Sequence, residues 1–281
     1  MTDRPTLVAL YAPADRPERF GKALDAGADA VIVDLEDAVT ASRKDEARAM
    51  LGAFAEGWRD RGAGRPAVQV RINARGSQWH DDDLAALRQL PEEFGIRLPK
   101  AQSADGVHEV LAAAPGRQVH ALLETALAVE RAFEIASSGV ATIAAGEADL
   151  RSELGIPSGA AGEPGLIYSR SRFVNAAAAA GLPSPLMAVW ADVADVAGLE
   201  QSCLTGRALG YAGRTAIHPR QIEIIRRVFT PNAAEVERAR RILDRIAEAA
   251  VDGAGAFVLE DGTFIDVAMV RSAERIIAAA S

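Results

Sequence analysis

Lysine is scarce in this 281-residue chain: Lys22, Lys44 and Lys100 are the only ones among 31 basic side chains. The arginines that make up the rest are scattered, which reads as coding preference rather than a basic surface. With a net charge of −8, a nucleic-acid backbone is an unfavourable partner. The single cysteine, Cys203, excludes an intrachain disulfide and a thiolate metal cluster, and fits a reducing compartment. It lies in the helical stretch GLEQSCLTGRALG, where a buried small hydrophobe is expected rather than a nucleophile. No window approaches the length of apolar run that spans a bilayer, so no membrane partner is expected. The N-terminal MTDRPTLVALYAP lacks the apolar core of a signal peptide. A cytoplasmic location is the expectation. Neither GxGxxG after the first apolar run nor GxxxxGK[ST] anywhere is found, which argues against Rossmann and P-loop nucleotide sites.

What is present is an alternation. Short β-rich runs occur at residues 6–12, 30–35, 67–72, 96–99, 119–123, 140–145, 186–190 and 214–218. Between them lie amphipathic segments, among them 16–27, 42–57, 103–114, 125–138, 169–181 and 196–210. Strand followed by helix, repeated, demands parallel strands with crossover helices. Eight repeats predict an α/β fold, a TIM (β/α)8 barrel, over residues 1–230. Residues 231–281 add a helix, a hairpin and a final helix, predicted to clamp the barrel or to pack on a neighbouring subunit. Residues 155–165, GIPSGAAGEPG, read as a long mobile loop, a lid or a surface excursion.

The chemistry-bearing residues cluster at strand ends. Glu124 follows the run VHALL and Asp149 follows ATIAA within AAGEADL. Carboxylates past the carboxyl ends of consecutive buried strands stand where such barrels build active sites, and hard oxygen donors suit Mg2+ or, in its place, Mn2+. DLED, Asp34 to Asp37, closes the second strand, and alternation puts Asp34 and Glu36 on one face. They serve the site, or cap the next helix. Arg71, in VRIN, is placed to bind a carboxylate or a developing oxyanion; an ion pair with the acidic cluster is the alternative. Lys100, in RLPK, invites a Schiff-base role, but the carboxylate pair favours an electrostatic one. His218, ahead of Pro219, reads as a structural hydrogen-bonding residue more readily than as an acid–base group, and His80, His108 and His120 have no metal-ligand spacing.

Taken together, the blocks ADAVIVDLEDAV, VRIN, RLPK, ALLET, AAGEADL, SRSRFVNAAAAAGLP, GYAGRTAIHPRQI, FTPNAAEVERARRIL and FIDVAMVRSAERI resemble the citrate lyase β-subunit-like (CitE-like) branch of the HpcH/HpaI aldolase family. The resemblance covers nearly the whole chain. It implies a TIM barrel that makes or breaks carbon–carbon bonds in 3-hydroxyacyl-CoA thioesters of malyl, citramalyl or citryl type, usually with Mg2+. It further implies Glu124 and Asp149 as metal ligands, Glu124 also touching substrate. Arg71 is then a catalytic and substrate-binding residue, and Asp34 a catalytic one beside it. Asp266 of the tail becomes an acid–base group reaching a neighbour's site, in a homotrimer or hexamer, although it also suits the N-cap of the last helix. A thioesterase, a pyruvate-dependent aldolase and a carrier-bound citrate lyase subunit are the alternative activities. Two departures from the family pattern bear on the acyl substrate: Arg214, where the family often has Lys, would alter CoA-phosphate contacts, and Ala128, where Gly is common, would narrow the pocket.

Overall fold

The apolar runs become the staves of a closed barrel in the computed structural model, which describes residues 5–251, 256–258 and 264–280, the side chains of 248–268 excepted. The staves are β1 (Val8–Pro13), β2 (Ala30–Asp34), β3 (Ala67–Arg71), β4 (Gly95–Leu98), β5 (Val119–Leu123), β6 (Thr142–Ala145), β7 (Leu186–Met187) and β8 (Gly213–Ala216). They pair in parallel in chain order, and β8 closes on β1. The α/β TIM barrel is therefore present. Around it run α1 (Phe20–Leu24), α2 (Lys44–Arg59), α3 (His80–Leu87), α4 (Ala104–Ala113), α5 (Ala126–Glu130), α6 (Ala132–Ala136), α7 (Glu147–Leu154), α8 (Ile167–Ala179), α9 (Val196–Leu209) and α10 (Arg220–Phe229).

Local chemistry sets these boundaries. Ser103, Thr125 and Asp195 cap α4, α5 and α9 by accepting from Gly106, Ala128 and Gly198 N–H groups. The helix predicted over 125–138 is broken into α5 and α6 at Arg131, whose backbone leaves the helical region. On α2, Ala47, Leu51, Phe54, Ala55 and Trp58 are buried on one face. Phe54 meets Phe20 and Phe94 edge-on, and Trp58 meets Phe94 likewise at 5.0 Å, fixing this helix against its layer. Inside the barrel, Ala9, Ala30 and Ile32 pack with Tyr11 and Leu186 to plug one level of the interior.

The stave β7 is only two residues long and shares a single register pair with β6, Ala144 with Leu186. Beyond it, side chains replace the ladder: Arg214 Nε donates to Ala188 O and Gln221 Nε2 donates to Trp190 O, each at 2.8 Å.

The barrel, Thr6–Arg227, is one compact unit, and Val228 begins another. In the second, α11 (Ala233–Val251) packs on α12 (Val267–Ala280) through Ala239, Ile242 and Ala273, with Leu243, Ile246, Met269 and Ile276 around them. A hairpin of β9 (Ala256–Val258) and β10 (Phe264–Asp266) sits between these helices in sequence. Among the described residues, no helix is long and apolar enough to cross a membrane.

Candidate active site

A cavity of about 660 Å3 opens at the carboxyl ends of the staves. Tyr11, Asp34, Arg71, Arg97, Glu124 and Asp149 all line it. Glu124 is the first residue past β5, and only 3% of its surface is exposed. Its Oε1 accepts the Lys100 backbone N–H at 2.7 Å. Gly146, just past β6, must be glycine for this packing: a Cβ there would lie 2.5 Å from Glu124 Cβ. Burial, then the charge of Glu36, with Asp149 adding, pushes the Glu124 carboxyl up to about 8, against the pull of the Lys100 N–H and ammonium. Burial likewise raises Glu36. These acids crowd one place and lack enough positive charge of their own.

Lys100 is the cation that stands there. Its ammonium lies 3.1 Å from Glu36 Oε1 and 3.3 Å from Asp149 Oδ2, the latter on the first turn of α7. Its backbone adopts φ 50°, the left-handed region that a side chain enters at a cost, and this turn aims its N–H at Glu124. Burial alone would depress the ammonium, but Glu36, by charge and hydrogen bond, outweighs it and holds Lys100 above its ordinary value. A lysine kept protonated is a poor Schiff-base nucleophile, so its electrostatic role stands.

Arg71 ends β3, beside Asp34 in register. Its Nε and Nη2 donate to both Asp34 oxygens at 2.7 and 2.6 Å, and its Nη1 reaches Glu36 at 3.0 Å and Asp37 at 3.2 Å. The guanidinium also lies over the Tyr11 ring at 4.8 Å. Asp34 accepts two further backbone N–H groups, from Glu36 and Ala38. With four donors on its carboxylate, Asp34 is the anchor that orients Arg71. Asp266 belongs to β10 by its backbone, and its side chain lies outside the described residues.

Several buried charged side chains in or near the site escaped sequence reasoning. Arg97 is 2% exposed, lines the cavity, and donates from Nε to Gln69 Oε1 at 2.9 Å. Lys44 is buried and donates to Leu35 O, Glu36 O and Asn73 Oδ1 at 2.7–2.8 Å, fixing the acidic turn after β2. Arg170, 1% exposed, binds both Glu147 oxygens at 2.7 Å and Glu163 at 2.8 Å. That network corrects the mobile loop expected over 155–165. Its second half forms a short 3-10 helix, Ala160–Leu166, and Glu163 is gripped by Arg170, Arg151 and Ser202.

Two other expectations, for Arg214 and Ala128, are revised, while those for Cys203 and His218 agree with the structure. Arg214 is fully buried, donating to Ala188 O and to Cys203 Sγ, and so is not exposed to meet a phosphate. Ala128 is buried in α5, away from the cavity lining. Cys203 is buried, and burial raises its thiol. His218 lines the cavity while its Nδ1 accepts the Arg220 N–H at 3.1 Å, the helix-start role. Burial, with Arg97 adding, pushes His120 down to about 3, so it is neutral.

A carboxylate-rich barrel mouth with an anchored arginine defines a class, and comparison with known proteins places the chain within it. Residues 7–219 match the HpcH/HpaI aldolase/citrate lyase family, and the chain belongs to that family. It is 35% identical to a (3S)-malyl-CoA thioesterase of Cereibacter sphaeroides, over 96% of this chain and 93% of that one. It is 37% identical to a citrate lyase subunit beta-like protein of Mycobacterium tuberculosis, over 95% and 93%. A crystal structure of CitE from Mycobacterium tuberculosis in complex with magnesium, acetoacetate and coenzyme A superposes with a TM-score of 0.80, at 35% identity and 99% coverage of both chains.

Proposed function

We propose that this protein is a Mg2+-dependent carbon–carbon lyase. It cleaves a 3-hydroxyacyl-CoA thioester of malyl, citramalyl or citryl type into acetyl-CoA and an oxoacid. The observation that carries the reading is the crowding of Glu124, Glu36 and Asp149 at one mouth, beside Arg71. Among the described residues, no group of three or more His, Cys, Asp or Glu side chains is arranged to hold a metal. Two carboxylates with room for water and substrate nevertheless suit Mg2+, which keeps several non-protein ligands, and Mn2+ can take its place. Glu124 and Asp149 would hold the ion; the raised Glu124 carboxyl and the Lys100 ammonium beside Asp149 support a place that favours positive charge. When bound, Mg2+ acts as a Lewis acid toward the hydroxyl and carboxylate of the substrate.

The protein's own groups account for the rest. The hydroxyl would pass its proton to water in the open cavity, its electron pair would form the new carbonyl, and the carbon–carbon bond would break toward the thioester, leaving an enolate. Arg71, held by Asp34, would receive the developing enolate oxygen. The enolate carbon then takes a proton, for which we propose Asp266 of a neighbouring copy, in a homotrimer or hexamer.

A thioesterase is the second reading, favoured by the 35% identity to the (3S)-malyl-CoA thioesterase. One experiment separates them: purified protein with Mg2+ is given malyl-, citramalyl- and citryl-CoA, and oxoacid and free thiol are measured apart. Oxoacid release abolished by EDTA and by Glu124→Gln supports the lyase; free CoA without oxoacid establishes the thioesterase.

A further inference from the structure

The cavity floor holds two guanidinium groups in adjacent register positions, Arg71 on β3 and Arg97 on β4. Their surroundings are opposite. Arg71 is neutralised by Asp34, Glu36 and Asp37. Arg97 is equally sequestered, yet its one hydrogen bond goes to a neutral amide, Gln69. On the other side of β4 its register neighbour is the neutral His120. A guanidinium does not shed its proton at working pH, so this charge is fixed. Burying a charge without a counter-ion is costly, and among the described residues only its Nε is engaged. Among the described residues its two terminal nitrogens make no hydrogen bond or ion pair, and the side chain lines the cavity. Beside them stands the Tyr11 side chain, which also lines the cavity. Among the carboxylates, Glu124 acts on Arg97 by charge, after the larger influence of Tyr11, and in the proposed function the Glu124 charge is taken up by the ion.

We propose that Arg97 receives a second carboxylate on the oxoacid fragment of the substrate, so that the site selects a dicarboxylic oxoacid unit over a monocarboxylic one. The fork of Arg97 presents two parallel N–H donors, the geometry that a carboxylate takes up in bidentate fashion. The fragment is then bound at both ends, one by the proposed ion and one by Arg97. This rests on the cavity being the acyl site of the proposed function, whether the bond broken is carbon–carbon or thioester.

The test is isothermal titration of the full chain, in Mg2+, with oxaloacetate, 2-oxobutanoate and pyruvate. Oxaloacetate and 2-oxobutanoate are close in size and differ in the second charge. The expected result is oxaloacetate binding at least about tenfold tighter than 2-oxobutanoate, the scale of a charge-assisted pair. Arg97→Met should reduce that preference to about twofold or less while pyruvate still binds, and Arg97→Lys should restore part of it. No preference in the wild type, or equal loss of all three ligands in a folded Arg97→Met protein, overturns the proposal. If Arg97→Met fails to fold, the wild-type preference and the Arg97→Lys result decide. The two readings fail separately. Thioester cleavage without dicarboxylate preference removes only the role of Arg97. An Arg97-dependent preference without thioester turnover removes only the proposed activity.

Discussion

Glu124 titrates differently according to whether a cation shares its site. In metal-free protein its folded value of about 8 lies above the ordinary 4.5. Between those limits the native state binds more protons than the unfolded one, so stability from this group is complete below the lower limit and is lost as pH rises through the upper. Thermal melts in EDTA should therefore show a decline from pH 5 to about 8 that Glu124→Gln flattens. Mg2+ should raise Tm more at pH 8 than at pH 6, because the ion needs the ionised carboxylate. Gly146→Ala is the companion test, since a methyl there displaces Glu124. It should weaken the Mg2+ dependence of turnover by about 10-fold or more, as loss of ligand positioning does. Arg71→Met should lower kcat by about 10²–10³, the usual effect of removing an oxyanion partner.

At the scale of elements, α7, α8 and the 3-10 helix between them are held by one buried arginine. Arg170→Met leaves Glu147 without its buried partner and should destabilise the barrel by about 3–5 kcal/mol, measured by urea unfolding. Period and run length made the parallel staves, the surrounding helices and the strand-end acids readable, because each is a local pattern. Glu124, Asp149 and Arg71 were legible for that reason. Arg97 was not, because IRLP reads as an apolar stave whether its arginine points to solvent or inward. The 155–165 segment looked mobile from its Gly, Pro and Ser content, since the side chains that clasp Glu163 come from Arg151, Arg170 and Ser202, elsewhere in the chain. The break at Arg131 carries no Gly or Pro signal at all.

For the whole molecule, the proposed sharing of sites makes a complementation prediction. If Asp266 serves a neighbour, Asp266→Asn and Glu124→Gln proteins are each inactive alone. Unfolded together and refolded, they should regain activity through mixed oligomers. Absence of recovery in folded mixed oligomers, shown by tagged co-purification, would confine Asp266 to its own subunit or to capping α12.

The short stave β7 has a consequence of its own. A barrel closed by ladders distributes its resistance to opening over many backbone bonds, but here one seam leans on the side chains of Arg214 and Gln221. Amide exchange with deuterium should be fastest, among the staves, along β7, and Gln221→Ala should speed it first on the β7–β8 side, where its bond to Trp190 lies. The barrel is thus a cask with one designated joint, and breathing through that joint would open the wall without dismantling the rim where the acids stand.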